Sequence, residues 1–472
     1  MNETKEGLPY KEPSILNIVS YGLGGFWYTL AYGVFNLFLI FFYETVLELN
    51  IIYVFWAMLI FTVWDAINDP LIGFLTDRVL KITRKVGKRF IWIAIGLLPA
   101  NFALVLVYMP PPGTAATDPF VFFGWLIFTT CLFDSLTTLC FVNVDALFPD
   151  KFQTDRARRR ARGWGTPLSI IALPVANIVP PILLGLFGGQ DLEGAYLPMI
   201  LLLVATIAPI SLLALPGMWE QKEIIQRYYV SKEKRESFID ALKSTLKQKS
   251  FVYFVILNFG FQVVIGSLTA SIPYAVNYVL PQAPFGIPVN TVILFATFLT
   301  VAIISVPFWI WVAKKVRNNK KTALIGGFSL TFGVLSTAFY VNIFDSMIYQ
   351  TILGFTMGNF WALMTIYFSD VLDERMVITK IPNRGATVGI SSFFSRLSRG
   401  VQIAVFTIAH IVTGFDETSP TQMLPAQIGI RFHMSVIPGI IMLICTLIYW
   451  KFYPITPKIW MENKQKLKDI GF

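Results

Sequence analysis

Charge is what this sequence has least of. Asp, Glu, Lys and Arg make up 14% of its 472 residues, against about a quarter in a soluble domain. That is too little to coat a water-facing surface of this size, which excludes a soluble enzyme and a disordered scaffold. Cysteine is nearly absent: Cys131, Cys140 and Cys445 each lie alone in an apolar run, so no disulfide framework or metal-ligand cluster is expected. Histidine occurs twice, as His410 and His433, and each reads as a packed, hydrogen-bonded side chain. The sequence has no P-loop, no HExxH and no GxSxG. It therefore reads as a protein without catalytic machinery, driven by an ion gradient or by facilitated diffusion rather than by ATP. What remains is 55% hydrophobic and 15% aromatic, with a mean hydropathy of +0.63. This is the composition of an all-α integral membrane protein.

A helix crosses the hydrocarbon core in roughly 20 mostly apolar residues. Twelve such runs are present, near 20–43, 51–75, 90–110, 119–148, 165–187, 195–216, 251–280, 291–313, 322–343, 346–369, 386–413 and 430–450. The first is too long and too aromatic for a cleavable signal peptide, and no small-residue cleavage site follows it. All but three of the 38 Lys and Arg residues fall before span 1, in alternate loops, or after span 12. The loops at 110–118, 186–194 and 281–290 carry none. By the positive-inside rule both termini and the central loop are cytoplasmic, in a multi-pass protein of the cell membrane. The net charge of +10 is thus a topology signal, and no nucleic-acid partner is expected.

The long basic loop divides the chain into a six-helix half (1–216), a linker (217–250) and a second six-helix half with a tail (251–472). Each half has a basic hairpin after its second helix, a duplication found in major facilitator transporters. Within the linker, Phe238, Leu242 and Leu246 recur every four residues. The spacing predicts a helix on the inner membrane surface; a solvated linker is the alternative.

A charge at mid-bilayer costs several kcal/mol, so each one needs a reason. Asp65 and Asp69 lie on span 2 and Asp134 on span 4. At 1.5 Å per residue, Asp65 is about 21 Å in from Ile51 and Asp134 about 22 Å in from Pro119. Asp65 and Asp69 share a helix face, and Asn68 adds a carbonyl oxygen. Oxygen donors at matched depth suit a proton or a hard cation such as sodium, with a ligand-free charge network as the alternative. Arg396 and Arg399 are deep as well, on span 11 and three residues apart, with Arg396 about 15 Å from the inner surface. Acids in one half and bases in the other suggest a gate or substrate clamp; a static salt bridge is the alternative. Asp370 and Asp373 close span 10 near Arg375 and Arg384 and read as partners of basic loops. Trp27, Tyr28 and Trp361 could form an aromatic wall for a sugar ring or an acyl chain.

The string Trp64-Asp65-Ala66-Ile67-Asn68-Asp69-Pro70-Leu71-Ile72-Gly73 resembles the helix-II signature of the glycoside–pentoside–hexuronide cation symporters, a major facilitator family. Tyr21-Gly22-Leu23-Gly24-Gly25, Phe360-Trp361 with Asp370 and Asp373, and Arg156 with Arg162 match the family in the same order. The resemblance covers most of the chain. It implies a cation site of Asp65, Asn68, Asp69, Thr130 and Asp134, with Asp65 and Asp69 as the metal ligands if the ion is sodium. It implies a substrate site of Tyr28, Thr29, Asp134, Thr138, Arg162, Trp361 and Arg396. A charge network of Asp77, Arg78, Asp370, Asp373, Arg384 and Arg399 would gate access. Thr29 stands where the family's sugar binders carry an acid, Thr138 where they carry a tryptophan, and Cys131 where a threonine lies near the cation. Sulfur is a poor sodium ligand, which favours a proton or weak sodium binding. The expected activity is symport of a small organic solute with a monovalent cation, by a monomer without other cofactors. A sugar or glycoside is expected first, a lysolipid or other amphiphile second. A ligand sensor on a transporter fold is the reading from a different class.

Overall fold

A computed structural model describes residues 12–76, 86–152, 154–189, 192–220, 238–280, 285–379 and 384–469. Asp77, Arg78 and most of the central loop lie outside the described residues, as do the side chains of Phe238 and Arg384. Every regular element among the described residues is helical. Among the described residues, eleven helices are long and apolar enough to cross a membrane.

The chain divides into two compact units. The first comprises residues up to 42 together with 63–234. Its helices are α1 (Ile15–Phe41), α2 (Ile51–Thr76, whose first twelve residues belong to the second unit), α3 (Phe90–Val107), α4 (Pro119–Lys151), α5 (Asp155–Leu186) and α6 (Glu193–Met218). The second comprises 43–62 and everything from 235 onward. It holds α7 (Phe238–Leu246), α8 (Lys249–Tyr274), α9 (Ile287–Val316), α10 (Asn319–Ser336), α11 (Ile343–Thr379), α12 (Arg384–Thr413), α13 (Leu424–Arg431), α14 (Ile437–Phe452) and α15 (Pro457–Asp469). Three π-helical turns interrupt the second unit, at Phe42–Val46, Ala275–Val279 and Phe432–Val436.

Several helices outrun the apolar runs that mark them in the sequence. Helix α5 begins at Asp155 because Thr154 caps it, accepting from Ala157 N at 3.1 Å, and its basic first turns are good helix formers. Helix α11 continues to Thr379, well past the apolar stretch. The run predicted at 386–413 is one continuous helix, α12, but falls outside the eleven apolar spans. Arg396, Arg399 and its serines lower its hydropathy without breaking its hydrogen bonding.

Small residues set the helix crossings, as expected where hydrophobic driving force between helices is weak. In the first unit α1 packs along α5 and α6, and Gly22 meets Gly165 so closely that an added Cβ would lie 3.0 Å from the Gly165 Cα. In the second unit α9 packs along α11. A Cβ on Gly354 would lie 2.5 Å from the Phe298 carbonyl oxygen, which is backbone and cannot rotate away. Gly354→Ala is therefore expected to lower stability by about 1–3 kcal/mol through overpacking. A lowered thermal midpoint in detergent checks this, and an unchanged midpoint would show that the two helices can slide apart freely.

The end of the first unit predicted to face the cytoplasm is tied by Glu220. Its carboxylate accepts from Arg89 N at 2.8 Å and Phe90 N at 3.1 Å, capping α3. Gly87, at φ +115°, brings the backbone against that carboxylate where a side chain would be strained. Lys151 Nζ donates to the Trp219 carbonyl at 3.0 Å. Burial pushes the Lys151 ammonium down to about 8, against the opposing pull of Glu220.

In the second unit the linker helix α7 forms as the sequence spacing predicts. Its Ser244 Oγ accepts from Arg375 Nη2 at 2.6 Å, Thr245 is buried, and Leu246 is exposed. One face therefore docks on protein and another stays open.

Candidate functional site

The acids on α2 and α4 fall in the register that equal depth requires. Trp64 Nε1 donates to Ser135 Oγ at 3.0 Å, Asn68 Nδ2 to Asp134 Oδ2 at 2.9 Å, and Thr138 Oγ1 to Asp69 Oδ1 at 3.0 Å. All of these lie in the first unit. Asp134 is buried, and its other oxygen, Oδ1, accepts from the Tyr32 hydroxyl at 2.8 Å. Asp65 is fully buried one turn before the half-buried Asp69. Asn68 donates one of its two amide hydrogens in that bond to Asp134. Thr130 donates to the Leu126 carbonyl at 2.6 Å, so its oxygen has lone pairs but its hydrogen is committed.

The three carboxylates do not close into one compact cluster. Among the described residues, no group of three His, Cys, Asp or Glu side chains is placed to hold a metal ion. Helix rotation sends Asp134 toward Tyr32 and Asn68, and sends Asp69 toward Thr138. A cation here would be held by one or two carboxylates plus neutral oxygens.

A cavity of about 440 Å³ opens within the same unit. Tyr21, Thr29, Phe141, Asp145, Phe148 and Arg162 are among its walls. Two predicted substrate residues, Thr29 and Arg162, thus share one space. The Arg162 guanidinium lies over the Phe148 ring, 4.5 Å from its centroid. Thr29 donates to the Gly25 carbonyl in its own helix at 2.9 Å. Tyr28 packs between Tyr32 and Phe141, at 4.6 and 4.0 Å between ring centroids. Trp27 is buried, and its indole N–H donates to Asn101 Oδ1 at 2.9 Å. It is a helix tie rather than part of an exposed wall.

Two residues here escape a reading of the sequence. Asp145 follows Asp134 by eleven residues, three helical turns, and so shares its face. That spacing was the available signal. Tyr32 follows Tyr28 by one turn, but nothing in the sequence marks its hydroxyl as the partner of Asp134.

In the second unit, Trp361 is half-buried with its ring 6.1 Å from Phe298. Arg396 is half-buried on α12, and the Arg399 guanidinium lies 5.7 Å from the centroid of Phe61. Asp370 accepts from Asn319 Nδ2 at 2.7 Å and from Trp460 Nε1 at 2.9 Å. Asp373 accepts from Lys464 Nζ at 2.6 Å. The sequence placed these acids with the basic loops; the structure adds that they also fasten the tail helix α15 to α11.

The chain is similar to known transporters along nearly its whole length. The family described as "MFS/sugar transport protein" matches residues 20–457. The sodium-dependent lysophosphatidylcholine symporter 1 of Mus musculus is 21% identical, covering 99% of this chain and 90% of that protein. The Homo sapiens protein of the same name is 22% identical, over 86% of this chain and 77% of its own length. Among solved structures, a D-xylose–proton symporter superposes with a TM-score of 0.62 at 14% identity, covering 93% of this chain and 98% of that one. A bacterial homologue of the human lysosomal transporter Spinster, in an inward-facing and unoccupied conformation, gives 0.64 at 14% identity, over 95% and 97%. At such identities the two structures speak for the fold alone.

Proposed function

As the chain belongs to the MFS/sugar transport protein family of membrane transporters, we propose that it is a symporter that couples a monovalent cation to the uptake of an amphiphile of the lysolipid type. The observation that carries the coupling is the register of α2 against α4, with Asp65 buried beside the Asn68–Asp134 and Asp69–Thr138 bonds. Carboxylates in that register can supply the negative charge that a bound cation requires. A static sensor would gain nothing from that desolvation cost.

The choice of an amphiphile over a sugar rests on the two threonines. Where sugar-binding relatives of this fold would present an acid and a stacking tryptophan, Thr29 bonds within its own helix and Thr138 bonds to Asp69. Neither is disposed to grip a ring of hydroxyls. The relatives named as lysophosphatidylcholine symporters support the same choice. Arg162 and Arg396 would then serve a phosphate, which a guanidinium binds through paired hydrogen bonds. The family description and its sugar transporters keep a glycoside as the second reading. The relatives' names favour sodium, whereas Cys131, whose sulfur is a poor sodium ligand, favours a proton. The protein would act as a monomer in the cell membrane with both termini in the cytoplasm.

Counterflow in proteoliposomes separates these readings. Labelled lysophosphatidylcholine should exchange and accumulate under an imposed cation gradient, and melibiose should not. A sodium gradient at fixed pH and a pH gradient without sodium identify the ion. Exchange of melibiose alone would replace the amphiphile with a sugar, and exchange of neither would sink both.

A further inference from the structure

The sequence holds two histidines, and the structure puts them in contact. His410 on α12 and His433 on the π turn after α13 meet Nε2 to Nε2 at 3.2 Å. On the far side of His410, Nδ1 lies 2.6 Å from Glu44 Oε1. On the far side of His433, Nδ1 lies 2.9 Å from Ser271 Oγ. The Tyr274 hydroxyl donates to the other Glu44 oxygen. Every one of these side chains is at most 1% exposed. Phe415 stacks on His410 at 4.2 Å and Phe406 covers His433 at 3.9 Å, which keeps water out. Glu44 belongs to the segment 43–62, so the whole chain of bonds lies inside the second unit.

Counting hydrogens along this chain fixes its chemistry. Ser271 Oγ lies 2.5 Å from the Ser267 carbonyl and donates there, so it accepts from His433 Nδ1–H. Neutral His433 then presents a lone pair at Nε2 and accepts from His410 Nε2–H. The 2.6 Å contact between His410 Nδ1 and Glu44 Oε1 consequently holds one further proton, on the acid or on the imidazole. Without it, a carboxylate would face a lone pair. The chain answers by handing each hydrogen one place along: His410 donates from Nδ1 to Glu44, His433 donates from Nε2 to His410, and Ser271 turns its hydroxyl to His433. Two self-consistent patterns thus exist, and they differ by one proton.

We propose that Glu44, His410 and His433 form a binding site for a single proton, separate from the acids of α2 and α4, that fastens segment 43–62 to α12. The other charged groups nearby are engaged elsewhere. Arg431 donates to the Ala338 and Tyr340 carbonyls, Asp416 accepts from Thr418, and Glu417 accepts from Asn50. Among the described residues, Tyr43, Tyr274 and Tyr278 are further titratable groups beside Glu44 in the chain or in its surroundings. The loaded cluster is neutral overall. The empty one carries a buried negative charge, which is unfavourable unless Glu44 reaches water. This packing therefore binds the proton more tightly than an opened one does. By linkage, acid favours the docked state and rising pH favours release of segment 43–62. Two of the π turns carry Glu44 and His433, and the third follows Tyr274 directly, in keeping with the association of such turns with functional positions.

The inference does not rest on the transport reading, because its readout needs no solute. Protein labelled with 15N-histidine and reconstituted in bilayers gives signals from these two residues alone. Between about pH 5 and 9, a range that brackets ordinary histidine titration, both rings should change together at one midpoint. His433 should move from the Nδ1–H to the Nε2–H tautomer in the same step. Glu44→Gln should freeze His433 as the Nδ1–H tautomer and abolish the pH dependence of both. The wild-type spectrum is decisive even if that variant folds poorly. Two rings that stay neutral with fixed tautomers across the range, or that titrate at separate midpoints, would overturn the proposal and leave a static hydrogen-bond chain.

Discussion

Asp65→Asn and Asp69→Asn are each expected to abolish cation-driven accumulation of the solute while leaving the protein inserted and folded. The change keeps the size of the side chain and removes its charge. Asp69 Oδ1 accepts one bond from Thr138 at 3.0 Å, and an asparagine carbonyl can accept the same bond, so helix packing should survive. What is lost is one negative charge of the proposed cation site, whose remaining donors would be the other aspartate, Asp134 and neutral oxygens. A charge-assisted contact contributes roughly 1.5–3 kcal/mol, which corresponds to about ten- to a hundredfold weaker cation binding. Downhill exchange of solute should persist, since it does not require the ion to do work. The measurement is the steady-state ratio of internal to external solute in proteoliposomes under an imposed gradient. A wild-type ratio in either variant would remove that residue from the coupling site. Asp65, fully buried, should be the more severe of the two, because water can less easily replace its charge.

The second large effect concerns Arg396. A guanidinium within the apolar run must be paired, solvated or engaged by solute, and α12 carries no acid among its described residues. If it grips the solute, Arg396→Ala should leave the thermal midpoint in detergent nearly unchanged and lower solute affinity by about ten- to a hundredfold, the range for a lost charged hydrogen bond. Arg396→Lys should restore only part of the loss, because an ammonium lacks the planar fork that meets a phosphate with two parallel bonds. A static structural pair makes the opposite forecast. Truncating one member of such a pair strands the other charge, and truncating both relieves it. If Arg396 grips the solute instead, the Arg396→Ala, Asp134→Ala double variant should be no more active than either single. Recovery of transport in the double variant would reassign Arg396 to a structural role.

The sequence by itself determined the class of protein, the positions of eleven of the twelve spans it predicts, and which helices carry charge within an apolar run. These are properties of composition over some twenty residues, and a bilayer enforces them segment by segment. It also placed Asp65 and Asp134 at matching depth, since depth along a helix follows from counting residues. Rotation about the helix axis is another matter, because each residue turns the face by about 100° and neighbours decide the crossing. Only tertiary packing could join Asn68 to Asp134 and Thr138 to Asp69, or bring Asp145 and Arg162 to one cavity. Packing alone also turned two histidines, each unremarkable in its own span, into a bonded pair. It set against them Glu44, which lies 366 residues before His410 and just past the end of the first apolar run. No local pattern announces such a contact, because the bond depends on helices that are remote in the chain meeting at one depth and one angle.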